Sequence, residues 1–148
     1  LGACGAKRSE LPEWSASQSN DERQREGKSY MKTIAHHRLL DMQPEQVNPS
    51  MTRRLLWGER IMAALMEFKQ GFVVPTHQHE NEQLTYCLSG LMRFHFSDRE
   101  VLVRPGEVLL IPGGVPHGAE FVEDTVEMDV FSPPRQDWIE GTDTYLRR

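Results

Sequence analysis

The sequence predicts an all-β domain made of many short strands, and three observations carry that expectation. From Gly58 onward, apolar runs recur roughly every eight to twelve residues, the spacing of a β-sandwich or barrel. They read RIMAALMEF, GFVVP, LTYCLSG, LMRFHF, EVLVRPG, EVLLIPGG and TVEMDVF, with glycine or proline at the boundaries. Val, Ile, Phe, Tyr and Thr are frequent inside the runs, as strands prefer. Met92, Phe94 and Phe96 alternate with Arg93 and His95, the two-residue period of a half-buried strand.

In chain order, residues 1–30 hold five basic and five acidic residues, many Ser, Gln and Asn, and few large apolar side chains. Such a segment buries too little surface to offset its ordering entropy, so a flexible polar N-terminal segment is expected there. Residues 31–148 are then the folded domain, with its motif region at 58–131. The chain of 148 residues suits one domain with a sizeable core and is too short for two of ordinary size. No internal repeat is visible. MTRRLLW, at 51–57, fits a strand or a helix. ERIMAALMEF is rich in helix formers, and Ile61, Leu65 and Phe68 would share a helical face. Its direct run into the turn at Gly71 favours a strand, with tertiary context overriding propensity.

Bulk properties exclude several function classes. A net charge of −5 and a pI near 5.7 argue against a nucleic-acid footprint. No apolar run approaches the length of a membrane span. Two cysteines, Cys4 in the polar segment and Cys87 in an apolar run, do not make a disulfide framework. Leu1-Gly2-Ala3-Cys4 resembles a bacterial lipobox, but no apolar signal segment precedes it here. A cytoplasmic protein is expected, with anchoring through a lipidated Cys4 as the alternative if a signal peptide has been lost.

The chemistry concentrates in HQHENEQ. His77 and His79 are spaced to project to one side of an extended chain, and paired imidazoles suit a divalent transition metal. Glu80 and Glu82 are nearby carboxylates, read as a solvated rim, with Glu82 a lesser candidate for ligation. A second glycine- and proline-rich block, GEVLLIPGGVPH, ends at His117.

The pattern Gly71-x5-His77-x-His79-x3-Gln83-x6-Gly90, then Gly106-x5-Pro112-x-Gly114-x2-His117, resembles the two signature motifs of the cupin superfamily, as does the fifteen-residue gap between them. The resemblance implies a double-stranded β-helix, or jelly-roll barrel, holding one divalent metal (Ni, Zn, Fe, Mn or Co). It implies His77, His79, Gln83 and His117 as ligands. The family pattern ends with Asn four positions after the last histidine; Phe121 stands there instead. With a neutral amide at Gln83, the ion's charge would be less compensated than with a carboxylate, favouring Lewis-acid chemistry over oxygen activation.

Across residues 55–140, HQHENEQLTYCLSG, PGEVLLIPGGVPHGAEFVEDT and MDVFSPPRQDW are similar to the small single-domain cupins of the pectin-degradation KdgF group. Those proteins linearise 4,5-unsaturated uronates. By matching position, the resemblance implies Asp129 and Arg135 as catalytic residues, with Phe131 and Arg135 contacting substrate. Asp129 could serve as general acid and base, and Arg135 could grip a carboxylate with two parallel hydrogen bonds. Asp129 and Phe131 are two apart on a strand, so both can face the interior. The expected function is therefore metal-dependent linearisation or isomerisation of an unsaturated uronic acid, or of a related keto/enol sugar. The alternatives are a metal- or sugar-binding module without activity, and an isomerase or dioxygenase for another small molecule. A small carboxylated sugar is the expected partner, and a homodimer the expected assembly, with a strand from 31–57 able to pair across its interface. The sides faced by Tyr86 and Arg93 stay open.

Overall fold

The computed structural model describes residues 34–147. The expected boundary at residue 30 and the lipobox-like Cys4 lie outside them. After a short 3-10 turn at Leu39–Asp41 come ten strands: β1 (Glu45–Asn48), β2 (Met51–Trp57), β3 (Met62–Phe68), β4 (Val73–His77), β5 (Glu82–Ser89), β6 (Met92–His95), β7 (Glu100–Val103), β8 (Val108–Ile111), β9 (His117–Phe121) and β10 (Thr125–Ser132). One short helix, α1 (Gln136–Glu140), follows.

The strands form two antiparallel sheets, one ordered β1-β2-β3-β10-β5-β8 and the other β4-β9-β6-β7. This is the expected jelly-roll. Between the sheets lies a core that includes Met51, Met62, Met66, Phe68, Met92, Phe94, Ile111 and Phe121. The Phe68 and Phe121 rings stack with centroids 3.7 Å apart and join the two sheets.

The helix-prone segment is strand β3, as expected. It pairs along its length with β2 on one side and β10 on the other, so ladder hydrogen bonds replace helical ones. Met62, Ala64, Met66 and Phe68 turn inward, whereas Ile61 stays exposed, so the helical face suggested by the spacing never forms. MTRRLLW resolves as β2. The short strands β1 and β9 and the helix α1 were not among the expected runs.

Strands β5 and β10 position the chemistry. Burial alternates along β10 and along β5 as far as Leu88, turning Gln83, Thr85 and Cys87 inward from β5 and Thr125, Glu127, Asp129 and Phe131 inward from β10. The register places Phe131 beside Gln83, Asp129 beside Thr85, and Glu127 beside Cys87. The inward faces of β5 and β10 thus set polar side chains beside Cys87 and Phe131, while the outer face of β5 and β8 carries exposed Leu84, Tyr86, Leu88, Val108 and Leu110. Tyr86 faces outward, away from the pocket. Arg93 also lies outside, on the smaller sheet, where it pairs with Glu120 at 2.9 Å.

Candidate active site

His77, His79 and His117 converge so that one ligand atom from each lies within 4.8 Å of the others. They reach this point by different routes. His77 ends β4 and His117 opens β9, and the two are direct register partners. His79 lies beyond the end of β4, so the simple alternation expected for the histidine pair applies only to His77. A register irregularity between Val74 and His77 accompanies the change. The connection is held from the second motif: Gly114 N–H donates to the His79 carbonyl at 2.7 Å. A Cβ on Gly113 would collide with the Glu80 carbonyl oxygen, so the close approach of the two motif loops requires glycine there.

Each imidazole is fixed in the same way. His77 Nδ1 lies 3.0 Å from the Pro75 carbonyl, His79 Nδ1 3.0 Å from the Asn81 carbonyl, and His117 Nδ1 2.8 Å from the Val115 carbonyl. A carbonyl only accepts, so Nδ1 carries the proton and Nε2 presents its lone pair in all three rings. Burial pushes the pKa of His77 and His79 down to about 4, helped by the nearby Arg135 charge, and also lowers that of His117. The rings are therefore neutral at physiological pH. His117 Nε2 is buried with no hydrogen-bond partner among the described residues. Three lone pairs converging on one point, one of them sealed and unpaired, fit a divalent cation.

Gln83 completes this wall. Its amide NH2 donates to Thr85 Oγ1 at 2.9 Å and to Asp129 Oδ2 at 3.0 Å, which turns its oxygen toward His79 Nε2, 3.1 Å away. Two acceptors then face each other with no proton between them, an arrangement that a cation relieves.

Asp129 is buried one step deeper. Its other carboxylate oxygen accepts the Thr85 hydroxyl. Burial raises its pKa to about 7, against the opposing pull of Thr85, Arg135 and Gln83. Deeper still is Glu127, whose Oε2 has no partner among the described residues and whose pKa burial raises well above the usual carboxylate range. Phe131 presents its ring edge-on to His79 at 5.7 Å.

Arg135 faces the same cavity, yet its expected two-armed grip is already in use. Nε donates to Asp137 Oδ1 at 2.9 Å and Nη2 to Asp137 Oδ2 at 2.7 Å. The guanidinium also lies over the rings of Trp138 and Phe131. The reason is local: α1 starts directly after Arg135 and brings Asp137 back beneath it. Glu80 and Glu82 are exposed.

Two further residues belong to the site and were not foreseen. Buried Asn81 donates through Nδ2 to the Pro133 carbonyl at 2.6 Å, tying the ligand loop to the segment that leads into Arg135. Tyr145 stacks on His77 with centroids 4.6 Å apart. Asn81 lies between two motif positions, a signal the sequence offered; Tyr145 lies beyond every motif.

Residues 64–132 match the model of the cupin domain. The β-domain has the cupin fold. Among solved structures, KdgF from a Halomonas species is similar at 28% identity and a TM-score of 0.67, covering 72% of this chain and 99% of that one. The polyketide cyclase RemF from Streptomyces resistomycificus is 26% identical, with a TM-score of 0.60, covering 78% of this chain and 96% of that one. An RmlC-like cupin from Shewanella frigidimarina, at 22% identity and a TM-score of 0.66 over 72% of this chain and 96% of that one, shares the fold. No curated protein sequence matches the chain significantly. The chain thus carries a cupin that resembles KdgF, and no helix among its described residues is long and apolar enough to cross a membrane.

Proposed function

We propose that this cupin is a metal-dependent enzyme that linearises a 4,5-unsaturated uronic acid or a closely related enol sugar. The observation that carries the reading is the hydrogen bond from Gln83 to Asp129, which sets a buried carboxyl with a pKa of about 7 directly behind the imidazole cluster. A group poised near neutrality can both take and give a proton. The similarity to KdgF supports the same substrate class.

His77, His79, His117 and Gln83 would hold the divalent ion, which would supply Lewis acidity toward the sugar's oxygens. Asp129 then performs the proton work. It accepts the proton of the anomeric hydroxyl as the bond from C1 to the ring oxygen breaks and the C1 carbonyl forms. The released enol becomes a ketone when Asp129 returns a proton to C4, so the reaction is an isomerisation with no net loss or gain of atoms. Phe131 and the buried phenylalanines of the second sheet exclude water from the ring. Arg135 attracts the substrate carboxylate with its charge.

The apolar outer face of β5 and β8 supports a homodimer. Five large apolar side chains are exposed on two adjacent strands, a concentration that marks an interaction surface.

The test is direct. Metal-loaded protein should remove the ultraviolet absorbance of the conjugated unsaturated uronate made by lyases from pectin or alginate. Inertness toward both substrates would reject the reading. Binding with a raised melting temperature and no product would make the protein a sugar-binding module instead.

A further inference from the structure

Resting on that reading, we infer that Tyr145 is a substrate-binding residue whose phenolic O–H, together with Nη1 of Arg135, clamps an anionic oxygen pair at the mouth of the cavity.

The inference begins with the hydroxyl's bookkeeping. Arg135 Nη2 donates to Tyr145 Oη at 2.9 Å and Trp138 Nε1 donates to it at 3.3 Å. A phenol oxygen offers two lone pairs and one O–H. Both lone pairs are thus engaged, and among the described residues the O–H has no acceptor. Burial raises the Tyr145 pKa, so the proton stays on the oxygen at neutral pH. Tyr145 lines both the interior cavity and the open hollow at its mouth, beside His77 and Arg135. Its O–H is a donor without a mate, held where a ligand enters.

Arg135 has a matching vacancy. Asp137 takes Nε and one hydrogen of Nη2, and Tyr145 takes the other. Nη1 has no partner among the described residues and is not among the sealed, unpartnered atoms. The two-armed edge is spent on Asp137, so Arg135 alone can offer a carboxylate only Nη1. The Tyr145 hydroxyl, bonded to the neighbouring Nη2, supplies the second donor. A carboxylate satisfies both at once, whereas a neutral amide or alcohol satisfies them poorly.

The segment carrying Tyr145 is built to hold this position. Asn48 Nδ2 donates to the Leu146 carbonyl at 2.7 Å, and Leu146 is buried in the core. Arg53 Nη1 meets Asp143 Oδ2 at 2.6 Å, with both side chains fully buried. Ring stacking on His77 then fixes the phenol's plane. A donor immobilised before binding loses little entropy when it binds.

The experiment is equilibrium calorimetry on the metal-loaded protein with D-galacturonate and, as its uncharged counterpart, D-galacturonamide. Wild type should prefer the acid at least about tenfold. Tyr145→Phe keeps the stacked ring and removes the O–H, and should cut that preference at least about threefold by weakening acid binding alone, the charge of Arg135 keeping the remainder. A merely structural role would weaken both ligands equally. Equal loss, an unchanged preference, or no preference in wild type would overturn the clamp. Should Tyr145→Phe fold poorly by circular dichroism, Tyr145→Trp, which keeps a stacking ring but moves its donor, is read the same way. The measurement needs no turnover, so an inert protein that still prefers galacturonate loses the proposed reaction and keeps the clamp.

Discussion

At the scale of single residues, the amide of Gln83 has a reason that charge alone does not provide. A glutamate at that position could present an oxygen toward the imidazoles, but it could not donate to Asp129. Gln83 does both, with its oxygen toward His79 and its NH2 on Asp129. Gln83→Glu should therefore hold metal at least as tightly, since it adds negative charge beside the cation, while turnover falls about tenfold or more as two carboxylates meet without a proton. Metal content by atomic absorption and kcat on one preparation check this; unchanged kcat would contradict it. The sequence pointed to His77, His79, Gln83 and His117 through the resemblance its motif spacing carries, and these side chains do come together. It did not display the fate of Arg135. Whether a guanidinium is free depends on where Asp137 falls after the chain turns into α1, and residue spacing does not reveal that.

At the scale of elements, strand β10 carries an energetic cost. Glu127 is buried with an unpartnered oxygen, which costs about 1–3 kcal/mol relative to an apolar side chain of similar shape. Its pKa is raised in the folded state, so the native protein keeps a proton that the unfolded chain releases. Stability from this group is then fully present below the ordinary glutamate pKa and declines as pH rises above it. Glu127→Met should raise the melting temperature at pH 8, with the advantage shrinking toward pH 4; a pH-independent difference would contradict this. The C-terminal segment depends on a different contact. Removing Asp143 leaves buried Arg53 with Glu45 as its remaining carboxylate, while Arg53 Nη1 joins Nη2 in lacking a partner. Asp143→Ala should cost about 1–3 kcal/mol in urea unfolding. Most strands were legible because period-two alternation and glycine or proline punctuation are local signals. The exceptions are instructive: β9, HGAEF, has only one large apolar side chain, and small Gly118 and Ala119 are buried by neighbours rather than by their own bulk.

At the scale of the whole molecule, the apolar outer face calls for a partner, and the proposed homodimer supplies one. A stable interface buries at least about 1,000 Å² with an apolar centre. Tyr86→Lys combined with Leu110→Glu should convert a dimer to a monomer in analytical ultracentrifugation and leave the fold intact. A wild-type protein that sediments as a monomer at tens of micromolar would contradict the assembly. The jelly-roll brings residues 77, 79, 83, 117, 129 and 135 together through pairings between strands distant in the sequence, such as His77 with His117 and Gln83 with Phe131. That convergence was legible only through the resemblance to a known fold. Tyr145, outside the resemblance, became visible only with the fold complete.

The central claim is that Asp129, held by Gln83 and Thr85, moves the protons of ring opening. Asp129→Asn preserves size and loses the acid–base group. Loss of ultraviolet absorbance from the unsaturated uronate should slow by about 10²–10⁴-fold in this variant while its metal content equals that of wild type. A metal-loaded Asp129→Asn protein that consumes the substrate at the wild-type rate would contradict the account.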